Sequence, residues 1–135
     1  MIITDPQDLN DQFAIAQHVT FAASAEGLTV AEIRNSYATA SVALQGGHVI
    51  TYQPHGQEPV LWVSSQSAYA PGKAIRGGIP VCWPWFGSHP TDPSKPFHGF
   101  ARAAMWHVRG ASVGPADATE IRLGLNENED SLALW

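Results

Sequence analysis

The residues best suited to chemistry in this chain are Arg76, His98 and Arg102, all within one loop-rich segment. Residues 71–102 carry Lys73, Arg76, Lys95 and Arg102 against Asp92 alone, a local balance of +3 in a chain of net charge -5. The same segment holds six of the ten prolines, together with Trp83, Trp85, Phe86, Phe97 and Phe100. Cations on stiff loops beside aromatic faces suit a ligand that is anionic at one end and a sugar at the other. A guanidinium presents a planar fork of donors that matches phosphate. Rings stack on the C–H faces of a pyranose, and Gly77-Gly78 lets backbone approach a ligand closely. The competing interpretation is structural: aromatic side chains filling a core, with solvated cations around it.

Six histidines invite a metal site. None is paired at i, i+4 on a helix-like stretch, and Cys82 is the single cysteine, so no ligand set with zinc-like spacing is present. His18 and His55 lie in polar or turn surroundings. His89 lies inside the proline loop, and His107 follows Trp106 in an apparent strand. His48 opens a strand after Gly46-Gly47, where it could line a cleft or serve the fold. His98 is set apart by its place before Gly99 and four residues before Arg102, which could aim its ring and the guanidinium at one cleft.

The elements that must position these groups are short. Asp5 and Pro6 are a natural cap and first residue for a helix over 7–16. Alternating or clustered apolar and β-branched residues predict strands over 28–34, 38–44, 48–52, 60–63 and 118–125. Asn35-Ser36, Gly46-Gly47 and Pro54-His55-Gly56 punctuate them as turns. The aromatic-rich stretches 79–86 and 100–108 also read as strand-like. Pro90, Pro93 and Pro96 make the stretch between them a stiff loop. Many short strands with regular turn signals predict an all-β sandwich. A single partial β-sandwich domain over 1–135 is expected, with 1–27 as an N-terminal extension and 28–135 as the strand region.

The bulk composition narrows the function classes. Hydrophobic residues make up 44% and charged residues 14%, which is globular. The acidic balance disfavours nucleic acid and anionic membranes as partners. No apolar run reaches a membrane span, and the acidic N-terminus lacks a signal-peptide n-region. With one thiol, a cytoplasmic setting is expected.

RGGIPVCWPWFG at 76–87, followed by HGFAR at 98–102 and then Trp106, resembles the hexose-6-phosphate mutarotases (glucose-6-phosphate 1-epimerases), relatives of the aldose 1-epimerases. ALQGGH at 43–48 and LWVS at 61–64 resemble the family's preceding strands in the same order. The resemblance implies the N-terminal portion of a galactose-mutarotase-like β-supersandwich, mostly antiparallel. It further implies interconversion of the α and β anomers of a hexose 6-phosphate, with no metal and no cofactor. By matching position, Arg76, His98 and Arg102 are implied to bind substrate. Family members are about twice this long, and their principal catalytic histidine and glutamate lie beyond the equivalent of Trp135. No catalytic residue is therefore assigned here, and a non-catalytic carbohydrate- or phosphosugar-binding module is the alternative. The apolar SLALW ending suggests either a cut polypeptide whose partner surface lies in another chain, or a terminal helix docking Trp135. An exposed sheet face would favour homo-oligomers.

Overall fold

The structure, a computed structural model, describes residues 2–134. Its first element is helix α1, Pro6–Phe13. The Asp5 carboxylate caps it by accepting from the amides of Gln7 and Asp8 at 2.9 and 3.3 Å. The helix stops short of the expected residue 16 because Ile15 turns to form a bridge with Val19. It buries Leu9 completely. Its Asn10 side chain gives one hydrogen bond to, and accepts one from, the Phe21 backbone, both at 2.8 Å. That amide satisfies part of an open strand edge, a position where unpaired backbone would otherwise recruit another chain.

Strands β1 (Val19–Ala23), β2 (Thr29–Arg34), β3 (Ala38–Ala43) and β4 (His48–Pro54) form one antiparallel sheet in sequence order. Strands β5 (His107–Val113) and β6 (Thr119–Gly124) form a second, two-stranded antiparallel ribbon. A short helix α2, Glu129–Leu134, follows. The expected docking of Trp135 lies outside the described residues. The architecture is the mostly antiparallel β-sandwich that the strand pattern predicts, with helices only at its margins.

Period-two burial explains how one sheet serves two cores. On one face Val19, Phe21, Ala31, Val42 and Leu44 pack with Leu9 of α1 and Val108 of β5. On the other face Leu28, Val30, Ala43 and Ile50 pack with Ile75 from the long connection after β4. Along β4, alternation sends Val49 toward the first core and Ile50 toward the second, and the β3–β4 register shifts between Ser41 and Val42.

Three expected strands are absent as such. Residues 60–63 pair only through single bonds, and Val60 and Trp62 are exposed. Residues 79–86 and 100–106 are loops joined by isolated bridges. Pro80 and Pro84 remove ladder donors, and Gly77, Gly78, Gly87 and Gly99 all take positive φ, which breaks extended pairing. Conversely, Val19–Ala23 carries too weak a sequence signal to be singled out, yet it pairs with β2 along its whole length.

One carboxylate ties the two sheets together. Asp117 sits in the β5–β6 connection at φ 63, following Ala116 at φ 55. Its Oδ1 lies 2.6 Å from His18 Nε2, just ahead of β1, and its Oδ2 accepts from the Ser36 amide in the β2–β3 turn at 2.7 Å. The hydrogen bond from His18 holds the Asp117 carboxyl down at about 2, against an ordinary 3.8. The same bond raises the His18 imidazole above 6.5, and its other nitrogen faces the Ala16 carbonyl. Glu32 and Arg34 line the adjacent polar hollow.

The signs of these shifts define a window. Asp117, lowered in the fold, stabilises above pH 3.8, and that contribution is lost as pH falls toward 2. His18, raised in the fold, stabilises below pH 6.5, and that contribution is lost as pH rises through its folded value. Asp117→Ala is therefore expected to lower the thermal midpoint most between pH 3.8 and 6.5. Above this window the deficit shrinks but persists, because the Ser36 bond remains. Scanning calorimetry of both proteins across pH checks it.

Candidate functional site

The two motifs of the cationic segment fold against each other as paired loops. The Trp83 carbonyl accepts from the amides of Phe100 and Ala101, each at 3.1 Å. Trp83 and Gly99 form a parallel bridge, and a β-carbon at position 99 would collide with that carbonyl. Gly99 also has φ +74, so glycine is required twice over. Farther along, the His98 amide donates to the Gly87 carbonyl at 2.7 Å, while the Gly87 amide donates to His98 Nδ1 at 2.8 Å. Trp85 Nε1 donates to the Pro96 carbonyl at 2.8 Å. The proline loop is thus pinned at both ends.

These contacts set the state of His98. Because Nδ1 accepts from Gly87, the neutral ring carries its proton on Nε2, the nitrogen left for a ligand. The ring lies between Phe86 and Phe97, with centroid separations of 4.6 and 4.1 Å. Arg102 returns to the same loop: its Nη2 donates to the Phe97 carbonyl at 2.9 Å. The structure therefore brings His98 and Arg102 together around Phe97.

Arg76 comes in from a different connection. Its carbonyl accepts from the Ser64 amide at 2.9 Å, and the Gly78 amide donates to Trp62 at 2.8 Å. The next amide, of Ile79, donates to Val49 of β4 at 2.9 Å. The Arg76 side chain is exposed, and its guanidinium forms no hydrogen bond or ion pair with any described residue. It is not fastened directly to His98 or Arg102.

The link between these two groups is His48, which its strand-end position left undecided. The His48 ring is fully buried, and its Nε2 donates to the Gly77 carbonyl at 2.5 Å. Burial pushes this imidazole below 6.5; the Gly77 bond acts the other way, and the nearby positive Arg102 lowers it further. With its proton on Nε2, the ring leaves Nδ1 a buried acceptor with no partner among the described residues. Such an orphan ordinarily costs roughly 1–3 kcal/mol. The sequence signal available for His48 was its place directly after two glycines. Those glycines are needed where the chain passes Arg102 and Trp106: a β-carbon on Gly46 would meet the Arg102 carbonyl at 2.6 Å, and one on Gly47 the Trp106 ring at 3.1 Å.

Large side chains of these segments are exposed, among them Trp62, Ile79, Phe86 and Phe97, and the last two flank the His98 ring. A separate trough of about 660 Å³ lies between the Val81–Trp83 stretch, Trp106 and the end of β6, and Arg76, His98 and Arg102 are not among its lining residues. Its walls are mainly apolar, which suits covered hydrophobic surface better than a charged sugar. Among the described residues, no group of three or more His, Cys, Asp or Glu is placed to hold a metal ion. No helix among them is long and apolar enough to cross a membrane.

The profile of the aldose 1-epimerase family matches residues 29–135, which includes both loop motifs and their supporting strands. The chain belongs to the aldose 1-epimerase family. An Escherichia coli (strain K12) protein named "Putative glucose-6-phosphate 1-epimerase" is 42% identical over 96 residues, covering 71% of this chain and 32% of that protein. A Cenchrus ciliaris protein of the same name is 37% identical over 100 residues, covering 71% of this chain and 30% of that one. A solved Salmonella typhimurium structure, described as a "putative mutarotase", superposes with a TM-score of 0.82 at 28% identity, covering 99% of this chain and 42% of that one. The chain therefore spans about a third of the length of these sequence relatives and less than half of the solved one.

Two outcomes test this geometry. Gly99→Ala is expected to cost about 2 kcal/mol or more, from the collision with Trp83 and the positive φ together; urea unfolding measures it. For His48, the folded imidazole takes up its proton at lower pH than the unfolded one. Its contribution is whole above pH 6.5 and is lost as pH falls through the lowered value. Acidification below 6.5 should therefore lower the thermal midpoint of the wild type more steeply than that of His48→Gln, which has no group titrating there.

Proposed function

We propose that this chain provides the phosphosugar-binding surface of a hexose-6-phosphate mutarotase, with Arg76, His98 and Arg102 as its substrate contacts. The observation that supports this reading is the interlock of the 83–87 and 98–102 loops, which holds His98 and Arg102 beside Phe97, while Arg76 extends from the turn that His48 holds through Gly77. The names of the relatives point to glucose 6-phosphate as the probe of first choice.

In this reading the guanidinium of Arg76, unpaired among the described residues, meets the phosphate. Arg102, held by Phe97, reaches a second oxygen of the phosphate or a ring hydroxyl. His98 donates from Nε2 to the sugar. Contacts remote from the reacting carbon orient the ring for the chemistry. Anomerisation also needs an acid at the ring oxygen and a base at the anomeric hydroxyl. No residue of this chain is assigned to either role, so the activity proposed for the polypeptide itself is binding without turnover.

Arg76→Ala and Arg102→Ala are each expected to weaken glucose 6-phosphate binding by about 1.5–3 kcal/mol, roughly ten- to hundredfold. Glucose itself should lose far less. Titration calorimetry with both sugars checks this, and equal losses for the two would remove the phosphate role. Exchange NMR on glucose 6-phosphate tests turnover directly: anomer exchange accelerated by this polypeptide would mean that it contains an acid–base pair after all.

A further inference from the structure

We propose that His48 is a positioning residue for phosphosugar recognition: its buried imidazole holds the Gly77 carbonyl and thereby fixes the turn from which Arg76 extends. The proposal rests on Arg76 being a phosphate contact, and adds a residue that touches no ligand. Three observations carry it.

First, the turn needs an external hold. Gly77 and Gly78 are consecutive glycines at φ +105 and +63, the backbone with the most freedom to lose on ordering. The hydrogen bonds that oppose that freedom come from Ser64 to Arg76, from Gly78 to Trp62, from Ile79 to Val49, and from His48 to Gly77. The last is made by a fully buried side chain and acts at the residue next to Arg76; at Arg76 itself the amide also donates to the Ser67 hydroxyl, a longer and exposed bond at 3.3 Å.

Second, the ring is built in as a rigid post. It is fully buried at the first residue of β4, and a β-carbon on Gly78 would come within 3.0 Å of its Nε2. The following residue, Val49, bonds Ile79, so β4 grips the segment on both sides of Gly78.

Third, the ring keeps an orphan. Nδ1 is buried with no partner among the described residues, and an apolar residue of similar size would avoid that penalty. A group that served packing alone would not need the Nε2 donor and its unsatisfied opposite nitrogen. A donor aimed at Gly77 accounts for both.

The test compares His48→Phe, which keeps a ring but removes the donor, with His48→Gln, whose amide can still donate near the Nε2 position. Both are measured beside Arg76→Ala, using glucose 6-phosphate and glucose as probes at a temperature where each protein is folded. His48→Phe should weaken glucose 6-phosphate binding at least fivefold, and His48→Gln should recover most of it. Glucose binding should change little. The amides of Ser64 and Gly78 should exchange with solvent faster in His48→Phe than in wild type or His48→Gln.

Unchanged exchange at both amides in folded His48→Phe would overturn the proposal, whatever the ligand does. So would unchanged glucose 6-phosphate affinity in that variant while Arg76→Ala loses it. If Arg76→Ala also binds normally, it is the phosphate role of Arg76 that fails, and the exchange measurement still judges the hold on the turn. Nitrogen NMR of the wild-type imidazole needs no variant: the proposal requires a proton on Nε2 and none on Nδ1, and the opposite tautomer would end it.

Discussion

The Trp83 carbonyl accepts two amide hydrogens, from Phe100 and Ala101, and only a residue without a β-carbon at position 99 lets the chain come close enough to give them. From that contact the rest of the site follows. It fixes the start of the second motif against the middle of the first, so His98 falls opposite Gly87 and the two exchange hydrogen bonds. Arg102 then lies one short turn beyond, within reach of the Phe97 carbonyl. Sheet ladders do not supply this order. It is loop against loop, with prolines stiffening the chain and glycines permitting the approach.

The four-stranded sheet works beneath the loops as a platform with two purposes. One face builds the main core with α1 and the β5–β6 ribbon, and the other anchors the connection that carries Arg76. The first residues of β4 join both roles, since Val49 packs toward the main core while His48 and the Val49 carbonyl hold the Arg76–Ile79 stretch. A polar clasp at the other end, through Asp117, keeps the ribbon registered on the sheet. Loop residues can meet reproducibly because the strands beneath them are fixed by burial, and directional polar bonds join the pieces where burial is thin.

Much of this was readable from residue order. Asp5-Pro6 marked the helix start, and period-two alternation marked β2, β3, β4 and β6 to within a few residues. The prolines and glycines of 71–102 marked a stiff, closely packed loop, and the local charge balance marked it as cationic. Family-like motifs implied that Arg76, His98 and Arg102 bind substrate; the structure brings His98 and Arg102 to one loop and carries Arg76 on another connection. Aromatic runs misled: 79–86 and 100–106 have strand-like composition but lack the donors and extended backbone that a ladder needs. β1 was hidden because its burial depends on α1 and β2, partners that its own five residues do not announce.

What the sequence determined by itself was local: where backbone could be helical, extended or tightly turned, and where charge and aromatic surface would gather. Those properties depend on side-chain shape, missing donors and spacing along the chain. Only the tertiary structure decided that His48 lies under Gly77 and near Arg102, that the Arg76 guanidinium has no partner among the described residues, and that Asp117 joins three separate turns. These pairings join residues far apart in order, and a hydrogen bond or a buried charge exists only once folding has set distance and solvent exposure together.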